Sequence, residues 1–459
     1  MPFAPTKVRR LKFWWNLTFA YIKRYRLRIV IIFIVLFTFS FGLFKIIPTL
    51  FRNNIVSIGY IGTYSLDSLP AQVLSLATQP LVSSDESGQN IPSLASNWTI
   101  SEDGKTYIIF LKDNLYWHDS SLVSASDISI AISNVEINAL NNKAIQFKLP
   151  NPASSFLQAL NTPVFKRKSF YGTGDFRITN IIQVEGAVKR IALAPKDNKL
   201  PRVEIKFYTT ENQAINAFKI GEIKVLSVGN AKSLEKWPNL SVKKELDKHE
   251  IVTIFYDTQD PTLSSKDLRQ ALSYAINRTS FDGVEAYSPI SPASWAYNSS
   301  VKKYEYNLGK SKELISKSEL KNPKITLSFI PGFEDVANQI KDDWKAIGIN
   351  VEIKEEKGIP KNFQALLALD KLPIDPDQYT LWHSTQKDTN ITKLSNVKID
   401  KLLEDARATI NENERKDLYL DFQKYLVDEA PATFLYSPYK YTLSYKNIAK
   451  ALDKLHIIK

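Results

Sequence analysis

The chain has no cysteine among its 459 residues. That excludes disulfides, thiolate nucleophiles, thiolate metal sites and lipid attachment through a cysteine. Histidine is scarce: His118, His249, His383 and His456 lie far apart. No His/Asp/Glu cluster has metal-ligand spacing, so neither metal nor cofactor is expected. There is no G-x-S-x-G elbow, P-loop lysine or H-E-x-x-H helix. Gly172-Thr173-Gly174 lacks a third spaced glycine and reads as a turn opening a strand. Asp370, Asp375 and Asp377 could form a glycosidase-like carboxylate pair, but spacing alone does not establish one. An enzyme is not expected.

Acidic residues are also missing from the start of the chain, where Asp67 is the first. Ten of the 60 Lys and Arg precede it, which leaves 50 against 48 Asp and Glu in the remainder. The net charge of +12 is therefore local, and the nearly neutral body lacks the positive field that nucleic acid requires. The apolar run Ile29–Phe44 continues past Lys45 to Phe51, approaching the ~20 residues of a membrane span. Eight of the ten early cations precede this run, so the positive-inside rule predicts a cytoplasmic N-terminus and an extracytoplasmic body. A cleaved signal peptide is the competing reading, but no A-x-A site follows the run. Leu11 to Ile22 mixes aromatics with basic flanks, which suits an interfacial helix; a disordered basic tail is the alternative.

Two βαβ patterns organise the rest. Val203, Ile205 and Phe207 alternate, a helix with Ala214, Ile215 and Phe218 follows, and Gly221 precedes a strand from Ile223. Over a hundred residues on, Ile325, Leu327 and Phe329 alternate before a helix carrying Val336, Ile340 and Trp344, then Gly348 and a strand to Ile353. Such units imply parallel sheet with covering helices, and their separation implies two α/β lobes. Asp103-Gly104 between two strand-like runs predicts a hairpin. Ser264 or Ser265 is the expected N-cap of a helix through Leu268 and Leu272.

Aromatic residues near polar groups mark candidate ligand contacts: Tyr64, Trp295, Tyr297, Tyr379, Trp382 and its neighbour His383.

Several ordered fragments carry a resemblance. They are Ile91-Pro92-Ser93-Leu94-Ala95-Ser96-Asn97-Trp98, Ser101-Glu102-Asp103-Gly104-Lys105-Thr106-Tyr107, Trp117-His118-Asp119 with Ser124-Ala125-Ser126-Asp127-Ile128, and Gly172-Thr173-Gly174. Leu268 to Arg278 (LRQALSYAINR), Ser294 to Asn298 (SWAYN), Asp375-Pro376-Asp377 and Asp428-Glu429-Ala430-Pro431-Ala432 continue the series. Together they resemble the extracytoplasmic solute-binding proteins, family 5, of peptide and nickel ABC importers.

The resemblance implies a two-lobe α/β periplasmic-binding-protein-like fold of type II with an inserted domain, here preceded by one transmembrane helix. The expected organisation is a basic cytoplasmic segment 1–28, an anchor 29–51, lobe one at 54–255 plus 433–459 with an insertion near 83–160, and lobe two at 256–432. Its function would be hinge closure around a peptide or similar small polar solute for delivery to ABC permease subunits. The alternative is a cell-surface interaction or sensing module on the same fold.

One departure bears on the ligand. The aspartate that pairs with a peptide's α-amino group in this family falls at Leu372, and the aromatic residue before it falls at Leu369. Asp370, two residues earlier, is the candidate substitute.

Overall fold

The computed structural model describes residues 13–25 and 55–455, apart from 233, 235, 236, 319, 321, 322 and 454. Compact contacts divide the chain into Met1–Ile55 and Val56–Lys459. In the first unit, residues 13–25 are helical, with residues 13–24 exposed. No helix among the described residues is long and apolar enough to cross a membrane. The anchor expected at 29–51 lies outside the described residues.

The second unit has a central sheet of two lobes. In the first, the order is Phe176–Val184, Ala187–Pro195, Arg202–Tyr208, Ile55–Ile61, then Val225–Val228. The first βαβ pattern is present, but its two strands flank Ile55–Ile61 rather than each other, and Val225–Val228 runs parallel to it. Thr210 caps the intervening helix Glu211–Lys219 by accepting from Gln213 N. The helix buries Ala214, Ala217 and Phe218, and Gly221 follows with φ of +77°.

In the second lobe the order is Glu250–Tyr256, Ala365–Lys371, Lys324–Phe329, Asn350–Glu355. The last two strands are parallel and joined by helix Glu334–Lys345, which buries Ala337, Ile340 and Trp344. Trp344 satisfies its indole N–H on Leu272 O at 3.1 Å, so the ring is buried without a polar penalty. Ser265 caps helix Lys266–Tyr274 by accepting from Leu268 N. The sequence expectation ended lobe one at 255; the strand Glu250–Tyr256 instead pairs along its length with Ala365–Lys371 on one edge and with residues 432–436 on the other.

One strand joins the lobes. Ala432–Tyr445 bonds to residues 252–255 and 283–285 through its first half, and to 225–228 and 240–246 through its second. Residues 240–256 run antiparallel to it, so two stretches of chain cross between the lobes. A 14-residue strand reaches about 45 Å, enough to serve both cores.

The insertion is a four-stranded antiparallel sheet in the order Ala95–Ile100, Thr106–Leu111, Ala144–Lys148, Glu136–Asn141. The predicted hairpin is present, with Gly104 at φ +66°. Tyr107, Ile109, Trp117 and Phe147 fill its separate core.

Distant sequence fragments meet because each satisfies the other's backbone. Arg269 donates to Leu263 O, Ser264 O, Glu429 O and Ala430 O, closing the carbonyl end of helix Glu412–Glu429, where Ala430 is left-handed at φ 48°. Arg278 donates to Phe434 O at 3.0 Å and Tyr304 O at 2.6 Å. His118, with its proton on Nε2, donates to Gly174 O at 3.0 Å while Nδ1 accepts from Gly172 N at 3.1 Å. A Cβ on Gly172 would lie 2.1 Å from Ala77 O. These glycines serve close backbone packing, not phosphate.

Candidate interlobe site

The inserted domain reaches the second lobe directly. Ser154 N donates to Arg407 O at 2.9 Å and Ser154 Oγ to Ala406 O at 3.0 Å. Ser155 Oγ donates to Asp377 Oδ2 at 3.1 Å, and Gln89 Nε2 to Glu412 Oε1 at 2.7 Å. Trp295 N donates to Ser87 O at 3.0 Å. These contacts bring the inserted domain and the second lobe together.

Behind them is a cavity of about 270 Å³, walled on one side by Trp98 and Tyr107 and on the other by Trp295, Asp375, Glu412 and Arg415. Arg415 grips Asp375 through both terminal nitrogens, at 2.8 and 2.5 Å, and lies over the Trp295 ring at 5.5 Å. Burial pushes the Arg415 pKa down, but the Asp375 carboxylate more than offsets it and keeps the guanidinium charged. Asp377 is held by Arg407 Nε at 2.9 Å. Asp375 and Asp377 are thus paired with arginines, which removes the reading of a free acid pair.

The candidate residues divide by environment. Trp295 lines the cavity. Tyr64 is half-buried at the edge of the lobe-one core, its hydroxyl on Ile61 O. Tyr297 is half-buried, and burial raises its pKa. Tyr379 stacks on His383 at 4.1 Å with Arg407 over its ring at 4.2 Å.

Two expectations need correction. Trp382 is fully buried between Phe255 and Phe434, with its indole N–H on Gln378 Oε1 at 2.8 Å. His383 is 3% exposed, and its ring nitrogens meet Glu404 Oε1 at 3.2 Å and Thr385 Oγ1 at 2.8 Å. Both are satisfied core residues with no group left to offer a solute.

Leu369 and Asp370 face opposite sides of the second-lobe sheet. Leu369 packs with Val252, Ile254 and Leu367, whereas Ala368 and Leu372, which share the face of Asp370, pack with Ile251 and Phe255. Asp370 is 8% exposed, and its Oδ2 has no hydrogen-bond partner. Desolvation lifts its pKa to about 7. The carboxyl therefore sits on the same face as Leu372, one pleat further from the crossing, where Leu372 N donates to His249 O at 2.7 Å.

Sequence reasoning missed Trp98, Tyr107, Glu412 and Arg415 as cavity walls. Only their packing partners identify them. No group of acidic and histidine residues among those described could hold a metal ion.

Comparison with known proteins gives the same architecture. The chain is 25% identical to the oligopeptide-binding protein AppA of Bacillus subtilis, over 85% of this chain and 84% of that one. It is 23% identical to the dipeptide-binding protein of Escherichia coli, over 75% and 80%. Among solved structures, the ABC transporter substrate-binding protein CtaP of Listeria monocytogenes superposes with a TM-score of 0.73 at 21% identity, covering 85% of this chain and 94% of that one. NikZ of Campylobacter jejuni, in complex with Ni(L-His), gives 0.71 at 21% identity, over 86% and 94%. The family model for bacterial extracellular solute-binding proteins, family 5, matches residues 89–369, and with two lobes, a shared crossing strand and an inserted domain in place, the chain belongs to that family.

Proposed function

We propose that this chain is a membrane-anchored extracytoplasmic receptor that closes around a peptide or similar small polar solute and delivers it to an ABC importer. The observation that carries the reading is the strand Ala432–Tyr445, bonded into both lobes and flanked by a single second crossing. Two crossings leave one soft axis, so ligand contacts to both lobes translate into closure. Relatives named for oligopeptide and dipeptide binding support a peptide-like solute. The apolar run 29–51 with its basic flank supports an anchor, which raises local concentration near a permease. The arginine-paired Asp375 and Asp377 support a role in binding rather than hydrolysis.

We assign Asp370 to the cationic end of the solute. It shares a face with Leu372, the position where an amine-binding aspartate was expected, and its Oδ2 is unpaired. Trp295, which lines the cavity, and Tyr297 are assigned as aromatic surface for the rest of the solute. A sensing module remains the second reading, favoured by the direct polar contacts that already join insertion and second lobe.

The test is mass spectrometry of material released by denaturing purified 54–459. A set of peptides supports the receptor reading, and a single non-peptide species keeps the mechanism but changes the solute. An empty protein whose melt shifts with no peptide, sugar or metal–histidine complex counts against it, because ligand at 100 times Kd adds about 2.7 kcal/mol.

A further inference from the structure

The helix at residues 13–25 is not used by the proposed solute capture, and its composition calls for a surface. Six of its thirteen residues are Phe, Trp or Tyr. Phe13, Trp14, Trp15, Phe19 and Tyr21 are each more than 60% exposed. At about 100° per residue the apolar and aromatic positions sweep roughly 240° of the circumference. The remaining strip carries Lys23, Asn16 and Ala20; Arg24 falls just inside the arc, between Phe13 and Leu17, and Thr18 lies within it.

We infer that residues 13–25 form a helix lying flat on an anionic lipid surface, embedded through its aromatic arc. Asn16, Lys23 and Arg24 within the helix make placement across the hydrocarbon core costly. Trp and Tyr favour the headgroup boundary, where a ring is half-buried and its polar edge stays wet. Lys23 within the strip and Arg24 just beyond its other edge can lay their stems on lipid while their charges reach phosphates.

Charge decides among occupants. The sequence before Asp67 has ten basic residues and no acidic one. A second copy of this segment would set cation against cation, whereas an anionic bilayer attracts every one of them. The inference deepens the proposed anchoring at 29–51, because a surface helix just before a span would set its depth and orientation.

The absence of cysteine makes the test clean. Full-length protein carrying Leu17→Cys or Asn16→Cys, labelled with an environment-sensitive fluorophore, is reconstituted into phosphatidylcholine vesicles with and without 30% phosphatidylglycerol. With phosphatidylglycerol, the label at 17 should shift to the blue and be quenched by shallow nitroxide lipids. Its iodide accessibility should fall at least threefold below that at 16. Alkaline carbonate extraction reports the anchor separately. Labels equally open to iodide in a carbonate-resistant chain overturn the surface helix and spare the anchor. A protected label on a carbonate-extractable chain supports the helix and removes the anchor. Protection that needs no anionic lipid, or that grows with protein concentration in detergent alone, overturns the assignment in favour of a purely apolar contact or a second copy.

Discussion

Ser155 of the inserted domain donates to Asp377 of the second lobe at 3.1 Å, on a carboxylate that Arg407 already holds at 2.9 Å. The two residues are 222 apart in sequence, so on the proposed closure their contact would part as the lobes open. Ser155→Ala combined with Gln89→Ala removes two such bonds and leaves both cores intact. At about 1 kcal/mol each, the closed-to-open ratio should fall by roughly tenfold or more. Solution scattering of the ligand-free protein should register a larger radius of gyration. An unchanged radius would mean that these contacts do not set the balance.

Asp370 predicts a pH dependence with a definite sign. Its folded pKa, about 7, lies above the unfolded carboxylate value, so the folded state favours the protonated form. Stability is complete at or below about pH 4 for this group and declines as pH rises to about 7. Asp370→Asn should flatten that slope and stabilise the protein at pH 8. The limit is on the order of 4 kcal/mol, from a rise of about three units. Chemical denaturation at pH 5 and pH 8 measures the difference. A cationic solute that pairs with Asp370 should in turn bind more weakly at pH 5 than at pH 8, because binding must then expel the proton.

Trp382→Ala should destabilise the fold by about 3–5 kcal/mol, the range for emptying an aromatic core site. The melting temperature should drop sharply. Solute affinity measured well below the new midpoint should be nearly unchanged. A stable variant with impaired binding would reverse this assignment and return Trp382 to the site.

Asp375→Asn leaves Arg415 buried and charged without its counter-ion, at a cost of about 3–5 kcal/mol. The double replacement Asp375→Leu with Arg415→Met should recover much of that loss. A double-mutant cycle by urea denaturation separates the pair from its surroundings.

The β-strand and helix periods were legible because they are local: alternation at Val203–Phe207 and Ile325–Phe329, a cap at Ser264 or Ser265, and stops at Gly221 and Gly348 all act within one turn of chain. The site was less so. Trp295 reached the cavity as an aromatic beside polar groups should, but Trp382 carries the same local signal and went to the core. Its indole N–H found Gln378, a partner one helical turn away that no pattern of aromatics encodes.

By itself the sequence determined the family, the two α/β lobes and the concentration of positive charge before Asp67, since each follows from order, period or composition along the chain. Tertiary structure decided which polar groups are already satisfied. Gly172 and Gly174 proved to be contacts for Ala77, Asp375 the partner of Arg415, and Asp370 a buried carboxyl with an unpaired oxygen. The physical reason is that desolvation and hydrogen-bond satisfaction depend on atoms brought together from distant segments, and a linear pattern carries neither.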